Sequence, residues 1–342
     1  MSVRAALERV LDGERLARAD LRAALDEVFV GAADPVAFGG LLIALAQRGE
    51  TREELIGAAE AMRAAMVPFE HDAPSAIDTC GTGGSGLDTF NVSTASALVA
   101  AAAGAQVIKH GNRSASSKSG SADLLEAIGL PLELDPGAAR EVLGEVGITF
   151  LFAPRYHPAM RHAGPVRKSL GVRTLFNLLG PLCNPGGVRR QVLGVYDHTR
   201  VGDLVFALRE LGGERALVVQ GAGGADELTL QGVNVVREFG GLDVTGFQDP
   251  AGLGLEPTPL ALSCGGDVQA NARELRGLLA GEAVPSRSLV VLNAAAALVV
   301  AGAAENAADG VAQALEALDD GAAAAKLDAW VQSAQRRAGA SA

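Results

Sequence analysis

From residue 76 onward, the sequence alternates short β-rich runs with segments of helical periodicity, and this alternation limits the fold more than any other feature. It is typical of a mostly parallel central sheet that is flanked by helices. Such sheets bind ligands outside the carboxyl ends of their strands. The pattern predicts strands at residues 76–79, 106–109, 148–152, 191–196, 216–219 and 233–239.

The first 66 residues have a different pattern, with apolar residues at three- and four-residue spacing and no evident strand. Pro35 fits a first helical turn, and Thr51 with Glu54 forms a capping box. We therefore predict an all-helical segment followed by an α/β segment. The predicted helices lie near residues 3–11, 21–29, 35–45, 52–66, 95–103, 121–128, 136–146, 158–169, 200–211, 268–279, 288–301, 308–318 and 322–334.

A glycine-rich stretch follows the first predicted strand. Residues 78–94 read Asp-Thr-Cys-Gly-Thr-Gly-Gly-Ser-Gly-Leu-Asp-Thr-Phe-Asn-Val-Ser-Thr, and Ser93 or Thr94 is positioned to cap the next helix. Backbone N–H groups in such a loop, together with a helix amino terminus, can bind phosphate. Glycine clusters also form ordinary tight turns, and this spacing matches neither a dinucleotide-binding motif nor a P-loop. The loop alone leaves both interpretations open.

A donor-rich stretch follows the second predicted strand. Residues 109–121 contain two lysines, one arginine, one histidine and five serines, but no carboxylate. Many donors without acceptors suit phosphate oxygens better than they suit an ordinary solvated loop. Residues 152–185 instead mix arginines with apolar side chains such as Phe176, as a site for a small aromatic acid would. The sequence leaves two roles possible for His157 in this stretch: a structural hydrogen bond or a contact with a ligand.

Asp226 and Glu227 follow the fifth predicted strand. Adjacent carboxylates in a loop are usually solvated, but next to a phosphate-binding loop they become candidate Mg²⁺ ligands.

The overall charge argues against some partners. The formal net charge is −11 and the isoelectric point is about 5.0, which disfavours binding to nucleic acid or to an anionic membrane. The three cysteines, Cys80, Cys183 and Cys264, lie far apart and lack metal-site spacing. With no signal-peptide core and no long apolar run, we expect a soluble, reduced, cytoplasmic protein.

Several of these stretches resemble motifs of the anthranilate phosphoribosyltransferases. The resemblance covers nearly the whole chain, and its most specific parts are Lys109-His-Gly-Asn-Arg113 and Phe176-Asn-Leu-Leu-Gly-Pro181. It implies a small helical domain of residues 1–70, completed by about 161–190. This domain would be hinged to a large α/β domain of residues 74–160 and 191–342. The resemblance also implies a homodimer formed through the helical domain.

The resemblance further implies that the chain transfers the phosphoribosyl group of 5-phosphoribosyl 1-diphosphate to anthranilate, with Mg²⁺ as cofactor. An aromatic amine is neutral at pH 7, so catalysis would need positioning and electrostatics rather than a dedicated acid or base. Pyrimidine nucleoside phosphorylases share this fold. A phosphorylase-like enzyme is therefore one alternative. A non-catalytic ligand-binding homologue, which kept the fold but lost turnover through a change at Ser85, is the other.

Site residues are implied by matching positions in the family's motifs. The donor would contact Gly81, Gly84, Ser85, Thr89, Asn91, Ser93, Thr94, Lys109 and Ser121. Anthranilate would contact Gly81, Asn112, His157 and Arg167, and Mg²⁺ would be held by Ser93, Asp226 and Glu227. Two positions depart from the family pattern, since Ser85 replaces an aspartate and Gln220 replaces a histidine.

Overall fold

The computed structural model describes residues 1–114, 118–257 and 259–340. Residues 1–66, all within that range, are helical as predicted. Thr51 and Glu54 form the expected capping box, in which each side chain accepts a hydrogen bond from the other residue's backbone N–H. The helices here are α1 (Val3–Leu11), α2 (Arg18–Phe29), α3 (Pro35–Arg48) and α4 (Arg52–Ala64).

One mostly parallel sheet, formed by six strands within the described residues, lies at the centre of the rest of the chain. Each predicted strand is present, with shifts of one or two residues at some ends. The sheet order is β3-β2-β1-β4-β5-β6, and only β6 runs antiparallel to its neighbour among these strands. The strands are β1 (Ile77–Gly81), β2 (Val107–Gly111), β3 (Ile148–Phe152), β4 (Arg190–Gly194), β5 (Arg215–Gln220) and β6 (Val235–Phe239).

The strand order creates a switch point between β1 and β4. From β1 the chain builds outward through β2 and β3, and it then returns to place β4 on the other side of β1. Connections that leave in opposite directions open a crevice at the carboxyl ends of the two central strands. The glycine-rich loop follows β1 and therefore lies at this crevice.

The remaining helices pack around the sheet, except that α9 packs against α2 and α3. The four-residue helices among them were not predicted, because so short a segment shows no helical period. These helices are α5 (Val92–Ala102), α6 (Ser121–Ala127), α7 (Pro136–Val146), α8 (Ala153–Tyr156), α9 (Met160–Leu170), α10 (Phe176–Leu179), α11 (Val201–Glu210), α12 (Thr245–Gln248), α13 (Val268–Leu279), α14 (Arg287–Ala301), α15 (Ala307–Asp319) and α16 (Ala322–Ala340).

The predicted caps of α5 were wrong. The helix begins at Val92, so Ser93 and Thr94 lie inside its first turn and Asn91 is the capping position. The Asn91 side chain makes no capping hydrogen bond and bonds elsewhere in the site.

The apolar side chains in the described residues form two clusters, one on each face of the sheet. One cluster packs Leu98 of α5 and Leu292 of α14 against the face that carries Leu217. The other joins α1–α4, α10 and α11 to the opposite face, where Val218 is buried. The helical segment therefore shares a core with the sheet. The hinge and the domain bounds of residues 1–70, 161–190, 74–160 and 191–342 stay predictions.

None of the helices in the described ranges combines the length and the apolar composition that crossing a membrane requires.

Packing of α2 on α4 depends on Gly57. A β-carbon at this position would overlap the carbonyl oxygen of Arg18 in α2. We expect Gly57→Ala to lower the free energy of unfolding by about 1–3 kcal/mol, because overpacking forces the helices apart. Gly144 is the control, since it lies exposed in α7 with nothing near its β-carbon position, and Gly144→Ala should stabilise by up to about 1 kcal/mol. Urea unfolding of both variants measures the difference, and equal effects would contradict the packing argument.

Candidate active site

The strands that flank the switch point, β1 and β4, both end in glycine, and Asp226 fills the space that their side chains would occupy. A β-carbon on Gly81 would lie 2.7 Å from Asp226 Oδ2, and one on Gly194 would overlap the Asp226 carbonyl oxygen. The backbone N–H of Gly83 donates to Asp226 Oδ2 at 3.0 Å. Asp226 therefore contacts the glycine-rich loop, although the two are far apart in sequence.

A small cavity at this point contains the three predicted metal ligands together. It is lined by Ser93, Asp226 and Glu227 with Thr79, Cys80, Ser96, Val192, Gly194, Val219 and Asn293. Asn293 of α14 accepts a hydrogen bond from the Leu228 N–H at 3.0 Å and donates to the Leu228 carbonyl at 2.9 Å. The side chain of Asn293 thus fixes the chain immediately after Glu227.

The carboxyl group of Glu227 forms no ion pair with any described residue. Its Oε1 atom is buried and accepts no hydrogen bond from any described residue, while the Thr89 side chain bonds to the carboxyl group. Burial and the neighbouring Asp226 charge raise the pKa of Glu227 to about 8. A bound cation would stabilise the ionised carboxylate and so offset the cost of burying its charge.

The donor set suits one kind of cation. In the described part of the chain, no three His, Cys, Asp or Glu side chains converge on a common point. Two carboxylates and a serine hydroxyl are hard oxygen ligands, and Mg²⁺ typically combines one or two carboxylates with substrate phosphates. The residues present therefore fit Mg²⁺, and they lack the ligands of a structural zinc site.

Lys109 of β2 brings a positive charge to the same place. Its side chain is buried, and its Nζ donates to the Thr79 carbonyl at 2.5 Å and to Ser93 Oγ at 3.3 Å. Burial lowers the pKa of Lys109, and the negative charge of Asp78 opposes this shift. The ammonium group lies beside the first turn of α5, whose dipole also favours an anion.

Asn91 connects three segments around the glycine-rich loop. Its Nδ2 donates to the Ser119 carbonyl at 3.0 Å, and its Oδ1 accepts from Asn271 Nδ2 at 2.9 Å. Asn271 belongs to α13, which the sequence did not assign to the site.

Thr94 makes no such contact. Its side chain is buried, and its hydroxyl has no hydrogen-bond partner in the described residues.

The donor-rich stretch is described except for residues 115–117. Arg113 does not offer a free guanidinium, because it pairs with Asp123 at 3.1 Å and with Glu126 at 2.7 Å. Ser121 is the first residue of α6, and its Oγ donates to the carbonyl of the exposed Asn112 at 3.3 Å. Two carboxylates on α6 therefore bind the guanidinium of Arg113, which the sequence had suggested as a phosphate ligand.

His157 lies against His110, which follows Lys109 in β2. The ring centroids are 5.0 Å apart. His110 Nε2 and both ring nitrogens of His157 are buried without a hydrogen bond of normal geometry in the described residues, although the backbone of Cys183 is near His157. Burial lowers the pKa of His110 to about 3 and that of His157 to about 4. Both rings are neutral at pH 7 and can bond to a polar substrate group.

Arg167 of α9 combines a cation with an aromatic surface. Its guanidinium carbon lies 5.0 Å from the centroid of the Phe176 ring. The side chain is half-buried, burial lowers the pKa of Arg167, and no carboxylate within the described ranges forms an ion pair with it. A guanidinium without a counter-ion beside an aromatic ring suits a small aromatic carboxylate.

Sequence reasoning missed several residues that the fold brings to the site. Gly194 ends a strand at the switch point, which could have been inferred only from the strand order. Asn293 and Asn271 carry no signal of their role in the sequence. Arg173 was also missed, and its guanidinium donates to the Gly84 carbonyl.

The sequence matches models of known protein families over most of its length. Residues 4–66 match the helical bundle domain of a glycosyl transferase family, and residues 73–324 match the a/b domain of a glycosyl transferase family. An anthranilate phosphoribosyltransferase from Roseiflexus sp. strain RS-1 is 46% identical over 336 residues, covering 96% of this chain and 97% of that protein. An anthranilate phosphoribosyltransferase from Rhodospirillum rubrum is 48% identical over 322 residues, covering 94% of this chain and 92% of that protein.

Solved structures give the same result. The crystal structure of anthranilate phosphoribosyltransferase from Thermus thermophilus has a TM-score of 0.90 and 44% sequence identity, covering 96% of this chain and 99% of that one. The Saccharomyces cerevisiae enzyme, in complex with PRPP and Mg, has a TM-score of 0.88 and 26% identity, covering 98% of both chains.

The buried His157 should make stability depend on pH. Between pH 4 and 6.5 the unfolded imidazole takes up a proton and the folded one does not, so the free energy of unfolding should rise with pH. His157→Gln should remove up to about 1.4 kcal/mol per pH unit from that slope. Urea unfolding at several pH values between 4 and 6.5 measures this slope. His198→Gln, at an exposed position, is the control. Equal slopes for wild type and His157→Gln would disprove the buried neutral state.

Proposed function

Because this chain belongs to the anthranilate phosphoribosyltransferase family, we propose that it transfers the phosphoribosyl group of 5-phosphoribosyl 1-diphosphate to the amine of anthranilate. The products are N-(5-phosphoribosyl)anthranilate and pyrophosphate, a step of tryptophan biosynthesis. The observation that carries the proposal is the contact of Asp226 with the glycine-rich loop, beside Lys109 and Ser93. The names of the relatives support this activity rather than that of a nucleoside phosphorylase.

The donor binds along the glycine-rich loop and the amino terminus of α5. Lys109 and the N–H groups of this region supply positive charge for the diphosphate, and the charge on the departing pyrophosphate is stabilised in the same place. The contacts of Lys109 with Ser93 and of Asn91 with Ser119 support this assignment, whereas Thr94 rests on resemblance alone. The proposed donor residues are Gly81, Gly84, Ser85, Thr89, Asn91, Ser93, Thr94, Lys109 and Ser121.

Ser93, Asp226 and Glu227 would hold Mg²⁺. The metal neutralises part of the diphosphate charge when it is bound. The unpartnered Glu227 Oε1 supports the assignment, as does the presence of Mg with PRPP in the Saccharomyces cerevisiae enzyme.

Anthranilate binds between Arg167 and the loop that follows β2. Arg167 pairs with the carboxylate while Phe176 contacts the ring, and Gly81, Asn112 and His157 line the path to the donor. The amine is neutral at pH 7 and attacks the anomeric carbon without a strong base. The bond from that carbon to pyrophosphate breaks, and the nitrogen then releases one proton to solvent. The chain therefore needs no dedicated catalytic acid or base, and the residues act by orienting both substrates.

The activity is tested directly by mixing the purified protein with anthranilate, 5-phosphoribosyl 1-diphosphate and Mg²⁺. Anthranilate fluorescence should fall as product forms. Constant fluorescence at every metal concentration would reject the proposed activity, and phosphate-dependent cleavage of a nucleoside would instead indicate a phosphorylase. Donor binding by calorimetry without product would indicate a non-catalytic homologue.

A homodimer formed through the helical segment follows from the family resemblance. Helix α3 supports it, because Val36 and Ile43 lie two turns apart and are 81% and 41% exposed. Light scattering of the purified protein measures the oligomeric state, and a monomer at micromolar concentration would reject the dimer. The net charge of −11 supports the absence of nucleic-acid and membrane partners, and the free cysteines support a cytoplasmic location.

Replacing the carboxylates of the acidic pair should change the metal requirement. We expect Asp226→Asn and Glu227→Gln each to raise the Mg²⁺ concentration that gives half-maximal activity, because each removes a charged ligand. A Mg²⁺ titration of initial rates measures this shift. Asp328→Asn, at an exposed position on α16, is the matched control. Titrations that coincide with wild type would argue against coordination by this pair.

Replacing Arg167 should affect the acceptor selectively. Loss of a charge-assisted bond worth about 1.5–3 kcal/mol predicts a roughly 10- to 100-fold rise in the anthranilate KM for Arg167→Ala. The KM of the donor should change much less. Initial rates with each substrate varied in turn give both constants, with the exposed Lys168→Ala as the control. Equal rises in the two constants would refute the assignment.

A further inference from the structure

Arg173 lies on a short segment between the proposed acceptor helix and α10. Helix α9, which carries Arg167, ends at Leu170 and is followed by Gly171 in a left-handed conformation with φ of 64°. The backbone N–H of Thr174 donates to Asn177 Oδ1 at 3.0 Å, which fixes the chain at the start of α10. Arg173 is therefore joined to the end of α9 through Val172 and to the start of α10 through Thr174.

The Arg173 side chain reaches the donor loop. Its guanidinium donates a hydrogen bond to the Gly84 carbonyl, and a β-carbon on Gly84 would lie 3.4 Å from the guanidinium carbon. The same group lies 4.4 Å from the centroid of the Tyr196 ring. No carboxylate in the described residues pairs with Arg173, so its charge is not neutralised by a protein anion.

The surface that receives Arg173 is held in place by the sheet. The Tyr196 N–H donates to Thr82 Oγ1 at 3.2 Å, and Gln220 Nε2 donates to the Tyr196 carbonyl at 2.7 Å. Thr82 in turn donates its N–H to the Gly194 carbonyl at 2.9 Å. Tyr196 is thus bonded both to the glycine-rich loop and to the end of β5.

We propose that Arg173 is a positioning residue that couples the acceptor and donor sites, so that each substrate binds more tightly when the other is present. The inference rests on the proposed function. Acceptor carboxylate bound at Arg167 holds the end of α9, which keeps Arg173 on the Gly84 carbonyl and orients the loop N–H groups toward the diphosphate. The anionic donor in turn supplies a counter-charge to Arg173. Such coupling is necessarily reciprocal.

The test measures binding of a non-reacting acceptor in the presence and absence of donor. The probe is 2-hydroxybenzoate, which keeps the carboxylate and lacks the attacking amine. With wild type, saturating 5-phosphoribosyl 1-diphosphate and Mg²⁺ should lower its Kd by about 5-fold or more, the lower end of typical coupling. In Arg173→Met and in Tyr196→Leu this ratio should fall to about one. Arg209→Met, at an exposed position on α11, should keep the wild-type ratio.

A second measurement avoids reliance on the analogue. In steady-state kinetics, the wild-type anthranilate KM should fall as donor concentration rises, and in Arg173→Met it should not. Absence of coupling in wild type, or wild-type coupling in Arg173→Met, would overturn the proposal. Equal weakening of donor affinity with and without acceptor would also overturn it, because Arg173 would then be only a donor ligand. Thermal melts check that each variant folds.

The outcome for the coupling is separate from the outcome for the activity. Product formation by wild type decides the proposed function, whatever the Arg173 variants do. An active wild type with unaltered coupling in Arg173→Met would leave the function standing and remove the role of Arg173.

Discussion

The site depends on the close approach of Asp226 to the ends of β1 and β4. Gly81 and Gly194 leave this space free, and a side chain at Gly194 would overlap the Asp226 backbone. The loop after β5 can therefore cross the ends of both central strands. That crossing brings the acidic pair to the glycine-rich loop and to Ser93, which lies on α5. Without it, the carboxylates would lie at the end of β5 and away from the helix terminus that favours anions.

The site keeps polar and charged groups that the protein itself does not fully compensate. Glu227 has a buried oxygen without a partner among the described residues, Arg167 forms no ion pair with any of them, and the ammonium group of Lys109 is buried. Burying such groups disfavours folding unless a partner satisfies them. A cation, an acceptor carboxylate and a diphosphate supply those partners. The same features that cost stability in the free protein thus favour binding of the substrates.

The proposed acceptor and donor residues are attached to different parts of the fold. Lys109, Ser93 and Asp226 surround the carboxyl ends of the strands, whereas Arg167 lies on α9, which packs against α2 and α3. The apolar cluster that contains Phe176 also contains the sheet residue Val218, so the two parts share a core. Positioning two substrates against each other requires such a connection, because small displacements reduce the rate strongly.

The sequence by itself determined the strands, most helices, the capping box at Thr51 and the residue types suited to phosphate, a metal and an aromatic acid. These follow from periodicity, turn chemistry and charge, which act over a few residues. Only the tertiary structure decided that Asp226 contacts Gly83, that Arg113 forms ion pairs with α6, and that Arg173 donates a hydrogen bond to Gly84. Those contacts depend on strand order and on the packing of distant segments. No local pattern encodes them, because the residues involved become neighbours only after the sheet is assembled.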